Sequence, residues 1–263
     1  MNQSVYTVEK LNDTTFRIDE CGRDSCYLLL GSERALLIDC SLGTGELPTL
    51  IRALTSLPVT VAATHAHGDH VGAGHQFDAV FVPEEEITLN FRIQNLRCYR
   101  RKLLSNTMKK QGITEKNITG SVLRAKWLPM EDGKVFELGD RTVRTFRTPG
   151  HTQGGTCFLD ETQQMLFVGD SVCPVLPMNI YRCLPLSAWL PGGERILALA
   201  KQGNRIFCGH GDGRIPEELL EQQIAWVREI LQAHPKNEKK HSRTYYPVFS
   251  TQGCICYDPA NLY

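Results

Sequence analysis

The segment Thr64-His65-Ala66-His67-Gly68-Asp69-His70 places three imidazoles and a carboxylate within seven residues. Imidazole nitrogens and carboxylate oxygens are the donors that divalent zinc takes, and a hydrolytic zinc site keeps a coordination position for water. Core packing gives no reason for such a cluster. It follows a short apolar run, residues 59–63, that reads as a buried strand, so the polar donors fall on a loop at a strand end.

Four more segments repeat that grammar. Asp39 closes the apolar run 35–38. Thr148-Pro149-Gly150-His151-Thr152 follows a strand pattern over 142–147. Phe167-Val168-Gly169-Asp170-Ser171 and Phe207-Cys208-Gly209-His210-Gly211-Asp212 each pass from strand to turn to donor. Chain-distant ligands can converge in this way where strand ends gather at one edge of a sheet. Asp212 is expected to cap a helix or hold a loop. His75 is expected on a helix surface or in the core, and His234 and His241 in solvent.

The elements that must carry these loops alternate along the chain. Strands are predicted over 5–8, 15–18, 25–30 and 35–38, with Gly31-Ser32-Glu33-Arg34 as a hairpin turn. Leu47, Leu50, Ile51, Leu54 and Leu57 recur at helical spacing over 46–57. After a strand at 79–82, Pro83 opens a stretch, 84–110, whose composition suits a helix. It holds Arg92, Arg97, Arg100, Arg101, Lys102, Lys109 and Lys110 and ends at Gly112. A charged run of this kind is expected to be a solvated face, with a lid or an anion clamp as the alternatives. Strands return at 122–128, 134–138, 142–148, 156–159, 165–168 and 205–208. Helices are predicted at 193–202 and 216–233, and a final strand within 245–257. Helices flanking two sheets make an α/β fold, a four-layer αββα sandwich formed as a single domain over 1–263, with its site at one edge of the two sheets.

The chain has 263 residues, 22% of them charged, and no net charge, so no global field draws in nucleic acid or an acidic membrane. Neither is expected as a partner; a small-molecule substrate is. The opening residues carry no basic and apolar leader pattern, and no apolar run reaches the ~18 residues of a span, which points to the cytoplasm. The ten cysteines are then expected to be mostly reduced, structural thiols, Cys254 and Cys256 among them on one strand. The oligomeric state is open, a homodimer included.

In combination, H-x-H-x-D-H with the later P-G-H-T, G-D and G-H segments resembles the metallo-β-lactamase superfamily, its hydroxyacylglutathione-hydrolase (glyoxalase II) branch above all. The resemblance implies that His65, His67 and His151 bind a first zinc, that Asp69, His70 and His210 bind a second, and that Asp170 bridges them. It further implies that Asp39 orients a ligand histidine. Two Zn2+ ions suit this nitrogen and oxygen set, with Fe or Mn as alternatives. They would bring a bridging water toward neutral acidity, and the hydroxide would attack a carbonyl, with Asp69 hydrogen-bonding the nucleophile. The implied reaction is hydrolysis of a thioester, lactone or other ester. Persulfide oxidation on iron, phosphodiester cleavage and a non-catalytic metal module are the alternatives. Histidine at position 67, where the diiron redox relatives carry an acid, favours hydrolysis. The Pro-rich segment after Asp170 is expected to wall the substrate site, with Met178, Tyr181, Arg182 and Trp189 as candidate contacts.

Overall fold

The computed structural model describes residues 5–87, 100–118, 120, 125–180, 182–234, 246–249 and 253–263. Its first sheet runs β1 (Tyr6–Asn12), β2 (Thr15–Glu20), β3 (Asp24–Leu30), β4 (Ala35–Ile38), β5 (Val59–Ala62), β6 (Ala79–Pro83) and β7 (Lys126–Met130), in that spatial order. The first four strands are antiparallel neighbours, whereas β4, β5, β6 and β7 pair in parallel. The second sheet contains β8 (Val135–Glu137), β9 (Thr142–Arg147), β10 (Thr156–Asp160), β11 (Met165–Gly169), β13 (Arg205–Cys208) and β14 (Arg214–Ile215). Its order is β14-β13-β11-β10-β9-β8.

Strand direction explains why the donor segments meet. Because β4 and β5 are parallel, Asp39 and the loop 64–70 leave the first sheet at one edge. In the second sheet β11 and β13 are parallel, and β9 runs with them because β10 is antiparallel to both β9 and β11. His151, Asp170 and His210 therefore emerge at the ends of three co-directional strands. The opposite end of β9 is pinned by Arg141, which ion-pairs with Asp160 and donates to Thr14 O, Leu30 O and Thr15 Oγ1. That buried guanidinium ties the two sheets together away from the site.

Alternation along the strands sorts the apolar residues into three cores. Leu29, Leu36 and Ile38 face Phe158, Met165, Phe167 and Phe207 between the sheets. Leu28, Leu37 and Val61 face the other way, onto Leu47 and Ile51 of α1 (Leu47–Leu54). On the far side, Leu166 and Val168 pack under α4 (Leu186–Ala200) and α5 (Glu217–Ala233), which contribute Trp189, Ile196, Leu220 and Ile224. Helix, sheet, sheet and helix are the four layers expected.

Several sequence-based boundaries are revised. The stretch 84–110 is not one helix: a single turn of 3-10 helix at Glu84–Glu86 ends at Ile87, and Arg101–Leu103 and α3 (Asn106–Lys110) are separate short turns. Residues 88–99, with Arg92 and Arg97, lie outside the described residues. Nor is the whole basic run solvated. Arg100 is completely buried and donates to Leu42 O, Gly72 O and Gly120 O, docking this segment against the first sheet's loops. Helix α4 starts well before residue 193 despite Pro191, because Asn261 O and Leu262 O accept the N–H groups of Leu186 and Ser187 at its first turn. Only the part of the strand predicted at 122–128 from residue 125 on is described, and β7 continues past it to Met130. The predicted final strand is a hairpin, β15 (Tyr246–Phe249) and β16 (Cys254–Tyr257). With β12 (Val175–Met178) it makes a third sheet, ordered β12-β16-β15. Nine cysteines among the described residues are free, and all but Cys256 are buried.

Candidate metal centre

The loop after β5 turns at once into α2 (Gly68–Val71), a single helical turn in which His70 N and Val71 N donate to His67 O. That turn lets four donors in six residues point into one space. His65 Nε2 lies 3.1 Å from His67 Nδ1, and His151 Nε2 lies 3.0 Å from the same nitrogen. Asp170 connects the rest: Oδ1 is 3.3 Å from His70 Nε2, and Oδ2 is 3.2 Å from His210 Nε2 and 3.4 Å from His151 Nε2. The donor atoms of His65, His67 and His151 lie within 4.8 Å of one another, as do those of Asp69, His70 and His210 and those of His65, His70 and Asp170.

Hydrogen bonds behind the rings settle which nitrogen faces inward. His70 Nδ1 donates to Asp39 Oδ2 at 2.9 Å, His151 Nδ1 to Pro177 O at 2.9 Å and His210 Nδ1 to Arg23 O at 2.9 Å. Thr64 Oγ1 donates to Asp39 Oδ2 at 2.9 Å, so it accepts from His65 Nδ1 at 3.1 Å. Every one of these rings therefore turns its Nε2 to the centre. Asp39 orients His70 directly and His65 through Thr64. It does so from a left-handed backbone, φ 61°, in which it also accepts Thr64 N at 2.7 Å.

His65 Nε2 and His151 Nε2 both crowd His67 Nδ1 at 3.0–3.1 Å, and a single proton on that nitrogen cannot be well placed for both, so a cation among the three relieves the repulsion. His70 Nε2 is buried and makes no well-formed hydrogen bond, its nearest acceptor being Asp170 Oδ1 at 3.3 Å. The donor chemistry thus fits divalent metal. The charges divide the site in two. Burial, followed by the neighbouring histidines, pushes His65 well below the usual imidazole range. Burial lowers His67 also, and brings His151 to about 4. All three stay neutral donors. Burial opposes the charge on Asp170 and Asp69, but His210 and His70 outweigh it. Asp170 falls well below the carboxylate range, and Asp69, helped by Arg23, falls to about 2. His70 and His210 are raised despite burial because Asp170 faces both. A field that favours positive charge beside Asp170 is a field that attracts cations.

The cluster forms the floor of a cavity of about 680 Å³. Leu103, Cys173, Pro174, Val175, Pro177 and Ile180 supply an apolar wall, and Arg23 and Lys102 are its cations. Of the predicted wall contacts, Met178 and Trp189 are buried in the core beneath, and Trp189 Nε1 donates to Ser171 O at 2.6 Å. Neither lines the cavity, because β12 turns Val175 and Pro177 toward it and Met178 away. Arg182 is exposed on a left-handed backbone and is not part of the lining; Tyr181 lies outside the described residues. His75 Nδ1 bonds Gly72 O and Asp212 Oδ1 accepts Arg214 N, so both serve local backbone. The sequence reading missed Arg23 and Asp24. Arg23 Nη2 donates to Asp69 Oδ2 at 2.9 Å, and Asp24, raised to about 7 by burial, lies 3.4 Å from His210 Nδ1. The available signal was a charged pair at the start of the otherwise apolar strand β3.

Comparison with known proteins agrees with this architecture. The acyl-coenzyme A thioesterase MBLAC2 of Homo sapiens is 27% identical over 226 residues, covering 78% of this chain and 81% of that protein. A hydroxyacylglutathione hydrolase of Maricaulis maris is 34% identical, but over only 83 residues, 32% of each chain, so the superfamily is supported more broadly than that branch. A metallo-beta-lactamase structure from Pontibacter korlensis superimposes with a TM-score of 0.61 at 18% identity over 85% of this chain and 99% of that one, a likeness of fold. The family model described as "Metallo-beta-lactamase superfamily" matches residues 20–210, a span that begins just before Arg23 and closes on His210, and the chain belongs to that superfamily.

Proposed function

We propose that the protein is a metal-dependent thioesterase that hydrolyses acyl thioesters with an apolar acyl group. The observation that carries this is the junction of two donor triads, joined by Asp170, with an apolar wall in one cavity. Likeness to the acyl-coenzyme A thioesterase over most of both chains favours a thioester over the lactone, phosphodiester and persulfide alternatives.

In this reading His65, His67 and His151 would hold one divalent ion and Asp69, His70 and His210 another, with Asp170 able to serve both. Zinc fits the donors. Such ions, when bound, supply Lewis acidity that makes water a nucleophile near neutral pH and polarises a carbonyl. The chain's own residues do the rest. Leu103, Val175 and Ile180 receive the acyl group and exclude bulk water from it. Asp69 accepts a hydrogen bond from the attacking water and so orients it. Water oxygen bonds to the acyl carbon, the carbon–sulfur bond breaks, and the proton passes to the departing sulfur.

The purified chain, reconstituted with zinc, is expected to release free thiol from medium- and long-chain acyl thioesters and to lose that activity to a chelator. Asp170→Ala should lose both ions by elemental analysis and at least about 100-fold in kcat/KM. Equal turnover with and without metal, or cleavage of phosphodiesters in preference to thioesters, would overturn the reading.

A further inference from the structure

Arg23 stands at the junction of the metal centre and the cavity, in a place that neither family motifs nor the mechanism above accounts for. Its guanidinium is split between two carboxylates. Nη2 donates to Asp69 Oδ2 at 2.9 Å, and Nε lies 3.2 Å from Asp24 Oδ1. Its backbone carbonyl holds His210 Nδ1 at 2.9 Å, and the next residues continue that contact: Asp24 forms a β-bridge with His210, and Ser25 N donates to Gly209 O at 2.8 Å. The main chain of 23–25 thus fixes one donor of the second triad, while the side chain of Arg23 grips another.

These two roles act in opposite directions on a cation. The main-chain contacts orient His210 and help. The guanidinium carries a permanent positive charge and draws on the same carboxylate that the ion needs. It is only 24% exposed, so solvent screens it incompletely. Among the described residues, its side-chain hydrogen bond and ion pair to the centre go to Asp69, none goes to His65, His67 or His151, and its charge also reaches Asp170. We propose that Arg23 is a positioning residue that competes with a cation for Asp69. It weakens ion binding at the Asp69–His70–His210 position more than at the His65–His67–His151 position, which its charge reaches only through the shared Asp170. This rests on the two-position reading given above.

The test is a stepwise Zn2+ titration of the full chain against a chromophoric chelator. In Arg23→Gln the second equivalent should bind about tenfold more tightly than in the wild type, with the first shifted by less than about twofold. Arg23→Lys keeps the charge and should stay near wild type. In the wild type itself, the Arg23 Nε–H resonance should move with the second equivalent of Zn2+ and not with the first, a readout that stands even if the Gln variant does not fold. A second equivalent that is unchanged or looser in Arg23→Gln would make the side chain a simple prop and overturn the inference, as would a resonance that moves with the first equivalent or with neither. Wild-type protein that takes up no second ion would overturn the two-position reading and this inference together. Two ions in both proteins at equal affinity would overturn this inference alone.

Discussion

At the scale of single residues, close approach decides what the metal centre tolerates. Gly209 precedes the donor His210 and runs directly against the other ligands. A β-carbon built there would fall 2.5 Å from His70 Cε1 and 2.9 Å from Asp170 Oδ1. Neither neighbour can yield. His70 is held from behind by Asp39, and Asp170 is wedged among His70, His151 and His210. Gly209→Ala is therefore expected to cost about 1–3 kcal/mol in stability, the usual cost of overpacking a filled site. It should also displace His70 or Asp170 enough to loosen metal. Thermal unfolding and elemental analysis check the two effects separately. Wild-type zinc content with unchanged melting would show that the loop has slack that the contacts deny.

At the scale of elements, the segment around residues 100–118 shows how a buried charge can replace a hydrophobic anchor. Leu104, Met108, Ile113 and Ile118 make a small core with Cys21 and Leu42, and Arg100 lies under it, bonded to three backbone carbonyls. Arg100→Met keeps the length and removes the donors. Three buried carbonyls then lose their partner at about 1–3 kcal/mol for each one left unsatisfied. Lys102 and Leu103, which border the cavity, lose their support. The expected outcome is rapid proteolysis within 100–118 and a raised KM for acyl thioesters, with zinc content retained. A protease pattern like that of the wild type would remove Arg100 as the anchor. This segment also marks where sequence reading stopped. The donor loops were legible because each combined an apolar strand with a turn and a His or Asp, a local signal. Arg100 carries no local signal: its burial depends on Leu42, Gly72 and Gly120 arriving from elsewhere in the chain. The same holds for α4, where Pro191-Gly192-Gly193 reads as a breaker. Its first turn forms only because Asn261 and Leu262 come back to accept its free N–H groups. Arg23 and Asp24 were invisible for a related reason, since a charged pair ahead of a strand gains meaning only when Asp69 and His210 converge on it.

At the scale of the whole molecule, the chain's last described residues back the wall of its cavity. β16 is the parallel partner of β12, whose Val175 and Pro177 face the cavity, and Cys254 N donates to Pro174 O at 2.8 Å. Asn261 Nδ2 also donates to Cys183 O and Leu184 O, closing the loop that carries Ile180 back to α4. Among the candidate metal donors His151 leans on this support, through Pro177 O of β12, whereas His70, His65 and His210 are held from elsewhere by Asp39, Thr64 and Arg23 O. In the proposed function, ion binding and acyl recognition therefore meet at the Pro177 carbonyl, a backbone contact that a side-chain change at Val175 leaves in place. A substitution on the wall should separate them. Val175 is 54% exposed, so changing it leaves the core packed. Val175→Glu puts a charge where an apolar chain would lie, at about 0.8 kcal/mol for each methylene that loses its contact. KM for long-chain acyl thioesters should rise about tenfold or more, whereas short-chain substrates, which reach only the metal floor, should change little, and zinc content should not change. Removing 253–263 should also raise KM for long chains but lower zinc content with it, because β12 loses its partner strand and Pro177 O its fixed place behind His151. If Val175→Glu slowed short and long substrates alike, the acyl group would lie elsewhere and this face would be a support for the centre.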